Sequence, residues 1–377
     1  MSPLTEHPQR VARLAPLSDV HAAVQRLANR VSPTACDVTA AANTILGSDL
    51  LAPTAAPATP VALRDGWAVA SDSVSDASPY APAPVVQPRW VEIGQPMPQG
   101  TDAILPQDCV VGTDAHYEAI APVALGDGVL AAIADASQSQ VLRRAGERLR
   151  VSDVAVAQSL GCREALVCVP RIVVIAANTA MPADRDTVAP FLMAAIDAQG
   201  GPADRLGIDA TDGAFSRALE ECQADAIITI GGTGAGRSDR SVRALAEVGH
   251  VALHGMAITP GETAALGSVA NRPVLMLPGR LDAALAVWLL VGRVLLDRLT
   301  GRLPGIASRQ AILTRKIAST LGMTEMVLIG LSPDGAQPLA NRSFPLSTLA
   351  RADGWTVVSP ESEGFPAGAS IAVHSLP

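Results

Sequence analysis

Four glycines, Gly231, Gly232, Gly234 and Gly236, fall within six positions directly after the apolar run Ala226–Ile230, and an acid, Asp239, stands just behind them. The stretch ADAIITIGGTGAGRSD reads as a strand, a glycine loop and the start of a helix. Glycine tolerates positive φ and lets a ligand approach the backbone closely. The bare N–H groups of such a loop, with the helix N-terminus behind it, favour an anion such as phosphate. The Gly-Lys-Ser/Thr ending of a Walker loop is absent, and the spacing differs from the Gly-x-Gly-x-x-Gly dinucleotide fingerprint. The plain alternative is a turn that only joins strand to helix. Asp239 likewise has two readings. It caps the following helix, or it sits at the rim of an anion site, where a divalent cation such as Mg²⁺ would bridge it to a phosphate.

Two further loops carry Pro-Gly after an apolar strand, in MAITPGETAALG (residues 256–267) and VLMLPGRLDAAL (residues 274–285). In a parallel sheet their tips would gather near residues 231–239. Arg280, at a helix start, could then pair with the anion. His250 and His254 lie four apart on a strand-like segment, where they do not converge on a metal as they would on a helix. Glu220 and Glu221 read as a solvated helix face. Cys162 and Cys168 read as core thiols with no activating histidine beside them, and Trp288 and Phe191 as core.

The elements that must position these loops alternate between strand and helix from residue 170 onward. RIVVIAA is a continuous apolar run, as expected of a parallel strand buried on both faces. The alternation predicts a three-layer αβα domain with a mainly parallel sheet over residues 170–305. Residues 306–377 read as a small all-β domain, and residues 52–140, rich in Pro, Ala and short strand-like pieces, as a β-rich domain. Residues 1–51 and 141–169 read as a helical and mixed linking domain. Its helices are expected at residues 18–51, the first with Ser18 as N-cap and the second over residues 38–51. The whole is a multi-domain α/β chain.

At 377 residues the chain is long enough for two to four domains. Hydrophobic residues make up 49% of it and aromatics only 3%, so the core must be aliphatic. The net charge of -8, without a Lys/Arg-rich run, argues against a nucleic-acid partner. The only lysine is Lys316. Five cysteines without a Cys-x-x-Cys pair point to reduced thiols and a cytoplasmic protein. The longest apolar run, AALAVWLLVG, is too short to span a bilayer and is expected to be a buried helix. The N-terminal stretch lacks the apolar core of a signal peptide.

Seven segments, in order, resemble the molybdopterin molybdenumtransferases, the family of MoeA and the E domain of gephyrin. They are LRDGWAVAS (63–71), IGQPMPQGTDAILPQD (93–108), RRAGERL (143–149), GGTGAGRSD (231–239), ITPGETAALG (258–267), LPGRLDAAL (277–285) and NRSFPLSTLARADGW (341–355). The resemblance implies four domains and an elongated homodimer, with the pterin on the central α/β domain and Asp65 reaching the cleft from the partner chain. It implies a reaction in which molybdate enters adenylylated molybdopterin, with Mg²⁺ as cation and AMP released. On that basis Asp65, Asp239 and Asp212 are the candidate catalytic residues, with Asp239 and Asp212 at the metal. Gly231, Gly232, Thr233, Gly234, Ser238, Thr259, Gly261, Pro278, Gly279 and Arg280 are the candidates for binding molybdopterin.

The sequence departs from the family where the chemistry lies. The family's Lys-Pro-Gly-Lys is Thr259-Pro260-Gly261-Glu262, so both lysines are gone and one is replaced by an acid. The Thr-Gly-Asp-Glu-Leu after the first strand becomes ANTAMP (177–182), and Asn-Pro becomes Arg280-Leu281. Charge-assisted bonds are worth about 1.5–3 kcal/mol each, and Arg64, Arg237 and Arg280 are the candidates to replace them. Two functions are compatible with this pattern. One is molybdenum insertion with a rearranged anion site. The other is a non-catalytic relative that binds molybdopterin or finished cofactor and serves as a carrier or as the maturation partner of a molybdoenzyme.

Overall fold

A computed structural model of the chain describes residues 9–113, 116–176, 186–208, 213–303, 305 and 308–377. The middle of its central sheet is built from the continuous apolar runs of Ile172–Ala176, Ala226–Ile230 and Arg272–Leu277. The strand order is Ala203–Leu206, Ile172–Ala176, Ala226–Ile230, Arg272–Leu277, Ala265–Val269, His250–His254, and the first four run parallel. Alternate residues face opposite ways, as the pleat requires. Ile172, Val174, Ala226 and Ile228 pack with helix Val188–Asp197 and the helix over residues 281–300. Val173, Ile175 and Ile227 pack instead with helices Ala214–Glu221 and Ser241–Val248. Both faces are covered, which gives the three-layer αβα arrangement expected from the alternation of strands and helices.

The last two strands are antiparallel to their neighbours. Residues 265–269, read from sequence as part of a loop, form a strand. Ala270 and Asn271, both at positive φ, close a two-residue turn to Arg272. Paired positive φ values give the turn whose twist suits a tight hairpin, so the chain doubles back where a parallel crossover would need a helix.

The apolar run ending this domain is a buried helix, as its length implies. Leu281–Val287, Trp288–Gly292 and Arg293–Thr300 are continuous, the middle segment with wider π-type turns. A Cβ at Gly292 would strike the Trp288 ring. No helix among the described residues is long and apolar enough to cross a membrane.

The first helix runs over Leu17–Leu27, with Pro16 rather than Ser18 at its N-cap. The second helix expected over residues 38–51 is absent. Asp37 accepts from Thr39 N and holds only the short 3-10 turn Val38–Ala40, and Asn43 follows at φ 68. Ile45–Leu46 then pairs as a strand with residues 167–168, and Leu50–Leu51 with residues 141–143, far along the chain. Non-local pairing overrides the helical spacing of the apolar residues there. Residues 61–119 form small antiparallel sheets around Val69, Ala103 and Leu105. Residues 308–375 form the C-terminal sheet, which recruits Ile258–Thr259 from the central domain as an edge strand beside Thr324–Ser332. All five cysteines are free thiols.

Candidate functional site

From Ile172–Ala176 the chain first passes to Ala203–Leu206 on one side, then crosses to Ala226–Ile230 on the other. Ligands of open α/β sheets enter at such a switch point, outside the carboxyl ends of the strands. A cavity of about 720 Å³ opens there, lined by Ala176 and Ile230 at the two strand ends. Gly231, Gly232, Thr233, Gly234 and Asp239 form one wall, and Pro278, Gly279 and Arg280 another. Thr263 contributes from a third loop, and Phe344, Pro345 and Leu346 from the C-terminal domain.

The glycine loop is shaped by bonds to its carbonyls. Ser241 Oγ donates to Gly231 O at 2.9 Å and Ser241 N to Gly232 O at 3.1 Å. Gln9 Nε2 donates to Gly232 O at 2.7 Å and Gly234 O at 2.9 Å. His254 Nε2 bonds Thr233 O at 3.0 Å. The Gly231 amide continues the sheet ladder by donating to Leu277 O at 2.9 Å. The amides of Gly232, Thr233 and Gly234 donate to no acceptor among the described residues. Gly232 has φ 71, and a Cβ there would collide with Ser241 Oγ, so only glycine fits. With its carbonyls engaged by side chains outside the cavity lining, the loop leaves three cavity-lining residues with unpaired N–H groups, which is the backbone chemistry of an anion site.

Asp239 does not cap the following helix, whose N-cap is Arg240. Its Oδ2 accepts from Gly236 N at 3.0 Å and its own amide donates to Gly236 O, which closes the tip of the loop. The cations at the cavity are paired. Arg205 meets Asp186 at 2.8 Å, and Arg280 meets Asp282 at 2.6 Å. Hydrogen bonding to Asp282, with its charge close by, raises the affinity of the Arg280 guanidinium for its proton. Burial pushes the Asp282 carboxyl up, but Arg280 and the amides of Phe344 and Ala283 outweigh this and hold it below the usual carboxylate range. Phe344 N donates to Asp282 Oδ2 at 3.0 Å, so this one buried acid ties the C-terminal domain to the cavity rim.

Several candidates from the sequence lie elsewhere. Thr259 is buried, and its hydroxyl donates to Glu262 Oε1 at 2.7 Å. Gly261 N donates to Glu262 Oε2 at 3.0 Å. Neither lines the cavity, and Glu262 seals its own loop. Ser238 and Arg237 are exposed outside the lining. Arg64 is bound to Asp127 at 3.1 Å and to the Ile104 carbonyl in the N-terminal β-rich region. Asp65 is exposed and accepts from Ile93 N at 2.8 Å. Asp212 lies outside the described residues, as do Asp209, Thr211 and residues 177–182.

A resident magnesium ion needs several oxygen ligands. Among the described residues no group of three or more His, Cys, Asp or Glu could hold a metal ion. Asp186 and Asp282 are held by arginines, and Asp239 has one oxygen on Gly236. The acids lining the cavity are thus engaged within the chain, Asp239 keeping one oxygen free, while the other candidate for the metal, Asp212, lies outside the described residues. Sequence reasoning missed Asp186, Arg205, Asp282, Gln9 and the buttressing role of His254. Only Asp282 carried a signal, as an acid two residues beyond Arg280 at a helix start.

Comparison with known proteins agrees along the whole chain. Residues 15–161 match the MoeA N-terminal region (domain I and II), residues 172–298 the probable molybdopterin binding domain, and residues 310–376 the MoeA C-terminal region (domain IV). Molybdopterin molybdenumtransferase 2 of Mycobacterium tuberculosis is 25% identical over 91% of this chain and 95% of its own. A Methanocaldococcus jannaschii protein named for molybdopterin biosynthesis is 29% identical, over 40% of this chain and only 36% of that protein. The fold is shared with a molybdopterin biosynthesis MoeA protein from Pyrococcus horikoshii, at TM-score 0.76 and 22% identity over 97% of this chain and 100% of that one. A molybdenum cofactor biosynthesis protein from Pyrococcus furiosus gives TM-score 0.61 at 18% identity, over 96% of this chain and 100% of that one. With all three regions present in order, the chain belongs to the MoeA family of molybdopterin molybdenumtransferases.

Proposed function

We propose that, within the molybdenum cofactor biosynthesis its family serves, this chain binds a phosphorylated molybdopterin through backbone amides and holds it rather than loading it with molybdenum. The observation that carries this reading is the combination of three unpaired amides at Gly232, Thr233 and Gly234 with paired cations everywhere else on the cavity. Amides can hold a phosphate without a counter-charge, because their dipoles are fixed by the loop. Ile230, Val188 and Leu346 give the ligand's body an apolar wall, and Thr263 a hydroxyl.

Molybdate is a dianion, and its capture as substrate calls for positive charge free to meet it. The two positions that carry lysine in the family hold Thr259 and Glu262, and Glu262 is spent on its own loop. The second reading, molybdate insertion into adenylylated molybdopterin, is favoured by the nearly full-length alignment with a relative named as a molybdenumtransferase. In that reading a second copy of the chain would bring Asp65 to the cavity, as the family resemblance implies. A mass near twice 38.6 kDa by sedimentation would support the homodimer.

The separating experiment incubates the purified protein with adenylylated molybdopterin, molybdate and Mg²⁺. The holding role expects retention of the pterin with no AMP above the protein-free blank. Molybdate-dependent AMP release would overturn it in favour of insertion.

A further inference from the structure

We infer that Gln9 and His254 are positioning residues for the phosphate site, and that the segment over residues 9–15 is a strap whose seating is coupled to ligand binding. The inference rests on the reading of the glycine loop as a phosphate cradle. The segment lies against the central domain next to the loop. Ala15 N donates to Gly255 O and Ala257 N to Ala15 O, so it pairs alongside residues 255–257. Gly255, at φ 100, has no room for a Cβ beside Val11. At its described end, Gln9 reaches two carbonyls of the glycine loop, 223 and 225 residues away in sequence.

The chemistry of those bonds is one-sided. A carbonyl only accepts, so Gln9 must present its NH₂ to Gly232 O and Gly234 O, and His254 must carry its hydrogen on Nε2 to reach Thr233 O. Each peptide unit points its N–H roughly opposite to its C=O. The bonds to Gly232 O and Thr233 O therefore fix the amides of Thr233 and Gly234, which share their peptide planes, as the bond from Ser241 to Gly231 O fixes that of Gly232, and a preorganised donor array loses less on binding. By linkage, whatever the strap contributes to phosphate affinity, the phosphate returns to the seating of the strap.

The test uses the full-length protein and two probes, inorganic phosphate and the stable monophosphate of 6-hydroxymethylpterin, by calorimetry. Gln9→Glu is nearly isosteric but replaces the NH₂ with a second oxygen facing two carbonyls. It is expected to weaken the pterin monophosphate about twentyfold while leaving the melting temperature within about 2 °C. His254→Leu, which loses its donor, is expected to weaken binding about fivefold, and His254→Gln, which keeps one, to restore it. Arg10 and Arg13 are exposed on the strap, so trypsin provides a second readout. The probe should slow cleavage after Arg10 and Arg13 in the wild type and not in Gln9→Glu. Wild-type affinity in Gln9→Glu and His254→Leu, with cleavage indifferent to the probe, would overturn the inference and leave the phosphate reading standing. Failure of the wild type to bind either probe would remove both.

Discussion

The loop over residues 231–239 and the loop over residues 259–263 leave the same end of the central domain. Each holds a glycine at positive φ, Gly232 at 71° and Gly261 at 137°. In the first, side chains from outside take the carbonyls, and the amides of the cavity-lining residues 232–234 stay unpaired. In the second, Glu262 folds back onto the amide of Gly261 and the hydroxyl of Thr259. Glycine content alone thus does not make an anion site. What decides is whether a neighbouring acid consumes the N–H groups or a neighbouring donor consumes the C=O groups.

The largest expected effect comes from breaking the wall that holds the open loop's cavity. Asp282→Ala leaves the buried amide of Phe344 and the Arg280 guanidinium without their partner, and should cost about 3 kcal/mol in chemical denaturation. Next is the open loop itself. Gly232→Ala places a Cβ against Ser241 Oγ at a positive φ and should cost about 2 kcal/mol and abolish binding of the pterin monophosphate. The closed loop can be opened instead. Glu262→Lys frees the Gly261 amide and adds a cation, and should raise affinity for molybdate about tenfold by calorimetry, close to 1.4 kcal/mol. If Thr259→Lys with Glu262→Lys also brings AMP release, the difference between the two loops is the difference between holding and inserting.

A smaller effect lies in pH. The Asp282 carboxyl is held below its unfolded value, so the stability it contributes is full above the unfolded carboxylate pKa and is lost as the pH falls from about 4 through the lower folded value. Asp282→Asn should therefore flatten the fall in urea midpoint below about pH 5 relative to the wild type.

The central fold was legible because its middle strands are continuous apolar runs and its loops carry glycine where the backbone turns. The glycine loop at the sheet's carboxyl end was legible for the same reason. What sequence could not carry is pairing at long range. Residues 38–51 show helical spacing, yet Ile45–Leu46 and Leu50–Leu51 become strands because their partners lie at residues 167–168 and 141–143. Arg205 meets Asp186 from the next element, and Asp282 meets Phe344 across 62 positions. Gln9 sits in a stretch with no periodicity to mark it, and only the folded chain brings it to Gly232. The missing lysines were plain in the sequence, but not that Glu262 would turn onto its own loop.

The most direct measurement is the pair of dissociation constants for 6-hydroxymethylpterin with and without its phosphate, on the wild-type chain at fixed ionic strength. If the amides of Gly232, Thr233 and Gly234 hold the ligand, the phosphate should tighten binding about a hundredfold, near 2.7 kcal/mol. Equal affinity for the two forms would contradict a phosphate cradle at this loop.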